Sequence, residues 1–301
     1  MHFAFDLQQL EFRAQLRALT EKQCTPADVR GAWDSERGWS PSRWRALADM
    51  GVVGLTVPPG HGGLGLGPVD LVLLLEELGW AAAPEPVLET TLLAVPVLAG
   101  VDAVGGGGPG AEIARRWLPK VADGSAVLAV GVPGTDDVPQ AVGADLLVLE
   151  RAGALHAVEP AEVGLRTRRS VDGGRRVSQV TWEPAPSTLL LGPPGAAGAV
   201  TALGHRAAMG TAAVLVGVAD RMIALAARYA GDRVQFGKPI GSFQAVKHLL
   251  ADALVRVEFA RPAVYRAAWS LAEGDPDAGI HASMAKALAS DAAVLAARTA
   301  L

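Results

Sequence analysis

The sequence predicts an α+β multidomain fold: an N-terminal α-helical domain, a small middle β-barrel or sandwich domain, and a C-terminal α-helical bundle. Three observations predict it. Apolar residues recur at helical steps through most of the first 118 positions. From Ala126 to about Leu191 that period is lost, and short apolar runs alternate with turn residues, the texture of short strands. From Ala199 the helical period returns and holds to Leu301. The expected domains are therefore residues 1–118, 119–198 and 199–301.

The composition fits a chain with a sizeable core. Of 301 residues 50% are hydrophobic and 19% charged, which marks the chain as globular rather than disordered. A net charge of −4 leaves no electrostatic footprint for nucleic acid. Arg166, Arg168 and Arg169 are expected on a solvated strand or loop. Cys24 is the only cysteine, which excludes an internal disulfide and a cysteine-based metal cluster; a half-buried small side chain is its expected role. The start, MHFAFDLQQLEFRAQLR, has charges spread through it and no apolar core of a signal peptide. The most apolar run, Gly210 to Ala219, is about half a membrane span and stops at Asp220 and Arg221. A soluble, cytoplasmic protein without nucleic-acid or membrane partners is expected, and no residue set for a metal is proposed.

Taken in order, Phe5–Thr20 is amphipathic and helical. Ser40-Pro41 begins a second helix, serine as N-cap and proline at the first turn, which carries Trp44, Leu47, Ala48 and Met50 to Gly51. A short run, Val52–Val57, ends at Pro58-Pro59. The segment GHGGLGLGP (60–68) is glycine-rich but lacks Lys-Ser/Thr and the dinucleotide fingerprint, so it reads as a connector rather than a phosphate loop. It leads into a helix, Val69–Leu78, with Leu71, Leu74, Leu75 and Leu78 as its buried face. Glu76 and Glu77 point about 100° apart on that helix and do not converge as an acid/base pair. A solvated or capping role is expected of both. Gly105–Gly110 reads as a mobile loop. The expected strands are Val127–Val132, Asp145–Leu149, Ala154–Val158, Arg176–Trp182 and Leu189–Leu191, with Trp182 a strand residue. Gly274–Asp277 is a turn, and His281–Ala300 an alanine-rich helix. His248 and His281 are expected to be packed or exposed structural residues.

The stretch that most resembles a site is RYAGDRVQFGKPIGSFQ, residues 228–244. On its left Leu215, Val218, Met222, Leu225 and Tyr229 form one apolar stripe; on its right Val246, Leu250, Ala253, Val257 and Ala260 form another. Gly237, Pro239 and Gly241 break the helix between them. Arg233, Gln235 and Phe236 are thus expected at a helix end or joining loop. A guanidinium, an amide and an aromatic ring there can bind an anion, a polar edge and a flat ring. A plain helical hairpin with a polar corner remains the alternative.

RYAGDRVQFGKPIGSFQAVKHLLAD closely resembles the signature of the acyl-CoA dehydrogenase family, and VPPGHGGLGLGPVDLVLLLEELGWAAAPEP resembles its N-terminal domain. The resemblance implies the family fold, with helices before and after a β domain. It also implies that this corner reaches an FAD held by a neighbouring chain. Arg233 is expected near the pyrophosphate and Phe236 beside the adenosine half, with Gln235, Ile240, Phe243 and Gln244 nearby. The family reaction removes the α proton of an acyl-CoA thioester while a hydride leaves the β carbon for flavin. Its threonine and backbone groups that hold the flavin ring correspond here to LAVGVPGTD (128–136), where Gly131 and Val132 replace threonine and glutamate. The family's alternative base positions are Ala207 here and a late loop beyond Thr299-Ala300-Leu301; Glu258 and Glu273 match neither. No catalytic residue is assigned.

The chain therefore resembles the short, degenerate subunit of heteromeric actinobacterial acyl-CoA dehydrogenases, which act on steroid side chains. What this implies is a shared FAD, an acyl-CoA substrate, and a second dehydrogenase subunit in an α2β2 assembly, or otherwise a homotetramer. An electron acceptor such as an electron-transfer flavoprotein is implied as well. The alternative is a flavin-free structural or binding subunit.

Overall fold

The computed structural model describes residues 4–104 and 108–301. It contains an N-terminal helical part, two small sheets in the middle and a C-terminal helical bundle. The helices are α1 (Leu7–Gln23), α2 (Pro26–Trp33), α3 (Pro41–Asp49), α4 (Pro68–Trp80), α5 (Val95–Ala103), α6 (Pro109–Ala122), α7 (Pro193–Asp232), α8 (Gln244–Ala272) and α9 (Ala278–Ala300). The strands of the middle region are β1 (Leu128–Val130), β2 (Asp137–Pro139), β3 (Leu146–Arg151), β4 (Ala154–Val158), β5 (Gly164–Arg168), β6 (Val177–Thr181) and β7 (Leu189–Leu191). By contact the chain forms two compact units, and α4 and α7 each pass from one to the other.

One unit comprises Thr25–Leu71 and Pro84–Ala207. Its helices start on strong signals: Asp28 completes a capping box with Thr25 at α2, and the Ser40 hydroxyl caps α3. α2 was not expected. Its eight residues give too short a window for a periodic signal, although Thr25-Pro26 and Asp28 mark its start. In one sheet β1 runs parallel to β3, and β3 and β7 flank β4 antiparallel; the second sheet has the order β2-β6-β5. The first four residues of β3 are all buried, which is why its apolar run is continuous rather than alternating. Ala129, Leu147 and Leu149 of the first sheet, and Val138 and Val180 of the second, share a core with Trp182. Trp182 itself follows β6 directly. β5, exposed along its whole length, carries Arg166 and Arg168 into solvent. Of the expected loop Gly105–Gly110, residues 105–107 lie outside the described residues, and Pro109 and Gly110 already belong to α6.

A stretch of wider π-helix, Leu88–Ala94, leads into α5. Its hydroxyls bind neighbouring backbone: Thr90 Oγ1 donates to the Leu128 carbonyl at 2.9 Å, and Thr91 Oγ1 to that of Val53 at 3.0 Å. Glu89, in the same stretch, is buried. Loss of solvent raises its carboxyl above the usual range, and the charge of Arg175 partly offsets that.

The other unit comprises the described chain up to Cys24, Val72–Ala83 and Ala208–Leu301. Here Glu76 and Glu77 are neither solvated nor capping: both are buried. Glu77 accepts from Arg13 Nε at 2.6 Å and from Arg17. Glu76 accepts from Arg261, and from Tyr265 Oη at 2.7 Å. The rest of α4 in this unit is so apolar that its carboxylates are buried with it, and burial then demands partners. Trp80 lies between the guanidiniums of Arg17 and Arg221, 3.7 and 4.0 Å from its ring centroid. Gly79 and Gly217 let α4 and α7 meet backbone to backbone, because a Cβ on either overlaps a carbonyl of the other helix.

α7 contains a stretch long and apolar enough to cross a membrane by length and composition. Its buried positions in this unit are Met209, Ala212, Ala213, Val216, Ala219, Ile223 and Ala230, the periodic pattern of a core helix. The stripe expected from the sequence lies beside that one. Leu215 and Met222 are half-buried, while Leu225 and Tyr229 are exposed. Small side chains carry the contact where helices approach closely, and a reading keyed on large residues passes over them. On α8 the expected Ala253, Val257 and Ala260 are buried.

Gly217→Ala is expected to destabilise the chain by about 1–3 kcal/mol, read as a fall in the thermal midpoint. Glu89 gives a pH prediction. Its folded carboxyl holds a proton that the unfolded one releases, so the wild type loses stability as pH rises from about 4.3. Glu89→Gln removes that loss, and its thermal midpoint should exceed the wild type's by a margin that widens as pH rises above about 4.3.

Candidate functional site

The sequence between α7 and α8 is not a plain loop. Val234–Gln235 (β8) and Lys238–Pro239 (β9) pair antiparallel, with Gln235 opposite Lys238, so that Phe236 and Gly237 form a two-residue turn. Both have positive φ, 52° and 74°. Two central residues with φ above zero match the twist of a hairpin and favour glycine in the second position. The pyrrolidine of Pro239 removes one donor at the end of this short ribbon without stopping it. The Arg233 N–H closes on the Tyr229 carbonyl at 2.8 Å, and the Ile240 N–H on the Arg233 carbonyl at 2.8 Å. The second bond closes the base of the ribbon and the first ties it to the last turn of α7.

This geometry brings the expected residues together at one exposed corner. Arg233 follows the end of α7, Gln235 lies in β8, and Phe236 is at the tip with 91% of its surface exposed. Gln235 Nε2 donates to the Val234 carbonyl at 2.8 Å, leaving its amide oxygen outward as an acceptor. Phe243 sits edge-on to Phe236, centroids 6.2 Å apart, with Lys238 Nζ 4.4 Å from its ring centre. Gln244 opens α8. Ile240 faces a different environment, an apolar cavity of about 620 Å³ formed by Met222, Leu225 and Tyr229 of α7, Val246 and Leu250 of α8, and the end of α9. The corner thus offers a free cation, an amide and two aromatic rings to a group approaching from outside, with no carboxylate on the hairpin to repel an anion.

Residues 131–136 are arranged oppositely. Gly131 N–H donates to Val148 at 2.9 Å, Val132 N–H to Asp137 at 3.1 Å and Thr135 N–H to Val132 at 3.1 Å, all to backbone carbonyls. The Thr135 hydroxyl also turns back to the Val132 carbonyl. A depression of about 20 Å³ remains among Gly131, Val132, Asp136, Glu150 and Trp182, room for about one water molecule. Arg151 covers Trp182, 5.2 Å from its ring centre. The N–H groups of Gly131, Val132 and Thr135 are engaged, the side chains at the depression include the carboxylates of Asp136 and Glu150, and the space admits about one water, so residues 131–136 do not fit the polar edge of a flavin ring.

Ala207 lies within α7 and carries no proton acceptor. Glu258 is exposed and pairs with Arg261 at 3.0 Å, and Glu273 caps the end of α8. His281 Nδ1 is 2.9 Å from the Ser270 hydroxyl, a tie between α8 and α9, whereas His248 is exposed. Cys24 is half-buried at the end of α1.

The fold and the corner define an acyl-CoA dehydrogenase-type chain. Residues 7–125 match the N-terminal domain of acyl-CoA dehydrogenase, and residues 195–301 match its C-terminal domain. Acyl-CoA dehydrogenase IpdE2 of Mycolicibacterium smegmatis is 35% identical over 254 residues, 84% of this chain and 74% of its own length. Among solved structures, the ChsE4-ChsE5 complex from Mycobacterium tuberculosis superposes with a TM-score of 0.85 at 26% identity, over 100% of this chain and 87% of the matched one. A variant of the steroid ACAD Tcur3481-Tcur3483 does so at 0.82 and 28%, over 97% and 85%. The chain belongs to the acyl-CoA dehydrogenase family, whose chemistry is flavin-dependent dehydrogenation.

Phe236 occupies the turn position where asparagine is favoured and a bulky side chain is strained. Phe236→Asn should raise the stability of the chain by about 1 kcal/mol, visible as a higher thermal midpoint, if the hairpin keeps its turn.

Proposed function

We propose that this chain is a subunit of a flavin-dependent acyl-CoA dehydrogenase, contributing its corner to FAD seated in a partner chain and supplying no base of its own. The observation that carries the reading is the contrast between two backbones. The hairpin at Arg233–Gln244 turns polar and aromatic groups to solvent, while the N–H groups of Gly131, Val132 and Thr135 are taken up by backbone carbonyls of the chain itself. In the complex Arg233 holds the negative charge of the cofactor's pyrophosphate, and Phe236 covers its adenosine half, with Phe243 behind. Gln235 and Gln244 offer amide groups nearby, and Ile240 contributes apolar contact. FAD, when bound, supplies the hydride acceptor; the proton acceptor belongs to the partner chain.

Two relatives support an assembly of unlike chains, since the solved structures are of the ChsE4-ChsE5 complex and of Tcur3481-Tcur3483. The second is described as a steroid ACAD, which favours a bulky, polycyclic acyl-CoA as the substrate class. An α2β2 assembly, an electron-transfer flavoprotein as acceptor and a cytoplasmic location complete the proposal. The second reading, a flavin-free structural subunit, draws on the same small depression at residues 131–136.

Purified alone, the chain is expected to be colourless. Purified with the dehydrogenase encoded beside it, it should yield a yellow complex that oxidises acyl-CoA. Stoichiometric FAD with turnover in the lone chain overturns the proposal. Arg233→Ala should weaken FAD retention in the complex by about tenfold or more, the loss of one charge-assisted hydrogen bond, and leaves it unchanged under the structural reading.

A further inference from the structure

Arg206 is a cation on the buried side of α7. Leu203, Met209, Gly210 and Ala213 of that helix are buried. At about 100° per residue they lie within about 60° of Arg206 around the helix axis, two to either side. The exposed positions of the same turns, Thr201 and Gly204, are on the opposite face. A residue at the centre of a buried stripe is ordinarily apolar. Here it is an arginine, and it is half-buried.

Arg43 and Arg261, likewise taken from water, pair with Glu85 and Glu76. Arg206 has no such partner: among the described residues it makes no ion pair, hydrogen bond or ring contact. Burial pulls its guanidinium below the usual arginine range, and no charge of either sign acts on it. Unlike the indole N–H of Trp39, which is sealed without a partner, its nitrogens open to solvent. A guanidinium holds its donors in a planar fork. Half dehydrated and unpaired, it is unfavourable by an amount that nothing within the chain offsets. Destabilisation of this kind persists where binding needs it.

The chemistry of the position selects the ligand. The planar fork matches a carboxylate through two parallel hydrogen bonds. A phosphate brings about two charges and a third oxygen, whereas no second cation reaches Arg206. Its neighbours around α7, Ala202, Leu203, Ala207, Met209 and Ala213, are all apolar, which suits hydrocarbon beside a single charged end. We infer that Arg206 anchors a binding site for a small molecule with an apolar body and one carboxylate. The inference stands apart from the flavin reading, since it involves neither the hairpin nor a cofactor.

The test uses the full chain alone, with cyclohexanecarboxylate as the probe and the thermal midpoint as the readout. Without ligand, Arg206→Met is expected to melt above the wild type, because an unpaired, half-buried charge has gone. Cyclohexanecarboxylate should raise the wild-type midpoint saturably, with a dissociation constant of about 1 mM or tighter, and leave Arg206→Met unmoved. Arg206→Lys, which keeps the charge and loses the fork, should bind about tenfold more weakly. The neutral cyclohexanecarboxamide and inorganic phosphate should have no effect. An Arg206→Met chain that melts below the wild type shows a guanidinium held by the fold itself and overturns the inference. A wild type indifferent to the carboxylate, an Arg206→Met chain that responds equally, or a response to phosphate alone overturns it as well.

Discussion

The C-terminal unit depends on two adjacent carboxylates in an apolar helix. Glu76 and Glu77 are one residue apart on α4, so their side chains leave the helix about 100° apart. That angle prevents them from acting on one atom and lets them hold two helices. Glu77 takes Arg13 and Arg17 of α1, spaced four apart, and Glu76 takes Arg261 and Tyr265 of α8, also spaced four apart. Arg13 reaches both carboxylates. Asp220 of α7 lies against the same cluster, and desolvation raises its carboxyl despite Arg17 and Arg13. A buried network of this kind adds little net stability compared with apolar packing. Removing one partner, however, leaves a charge without water or counterion, and this fixes which helices are neighbours and in what register.

That register is what positions the corner. Gly217 sets α7 against α4, and α7 then continues from Gly217 to Asp232, about 22 Å at helical rise. α8 returns from Gln244 to Arg261, about 25 Å. The hairpin therefore sits at the far end of two rods whose near ends are clamped to the same stretch of α4. Its two strands have only two residues each and little stability of their own. Their placement is borrowed from α7, through the hydrogen bond of the Arg233 N–H to the Tyr229 carbonyl, while the Ile240–Arg233 bond closes the ribbon at its base.

The fold was legible wherever large apolar side chains and strong breakers agree. α4, the β4 strand, the β7 strand and the long C-terminal helices follow from period and punctuation. β5 was not legible as a strand because, exposed along its length, it has no alternation to read. The buried stripe of α7 was displaced by a residue or so because alanines make it. Glu76 and Glu77 were misplaced because charge suggests solvent, whereas a helix apolar on its other faces takes its charges inside. The pairing of Arg13 with Arg17 four residues on was the available signal. At the candidate site the residues were legible and their conformation was not: glycine and proline announce a break, and a hairpin with a left-handed phenylalanine is one of several breaks they permit.

That phenylalanine separates the two functional readings. A two-residue turn with both φ values positive is most readily made by asparagine and glycine, and a bulky side chain in the left-handed region costs about 1–2 kcal/mol. Phe236 bears that cost and exposes nearly all of its ring to water besides. A subunit kept only for its shape gains nothing from either. Backbone strain persists where the strained residue has work to do at a surface, and the inference runs from the outlier to the role. An aromatic ring held outward at the tip of the hairpin, with the Phe243 ring edge-on to it, is what the proposed contact with a partner's FAD calls for.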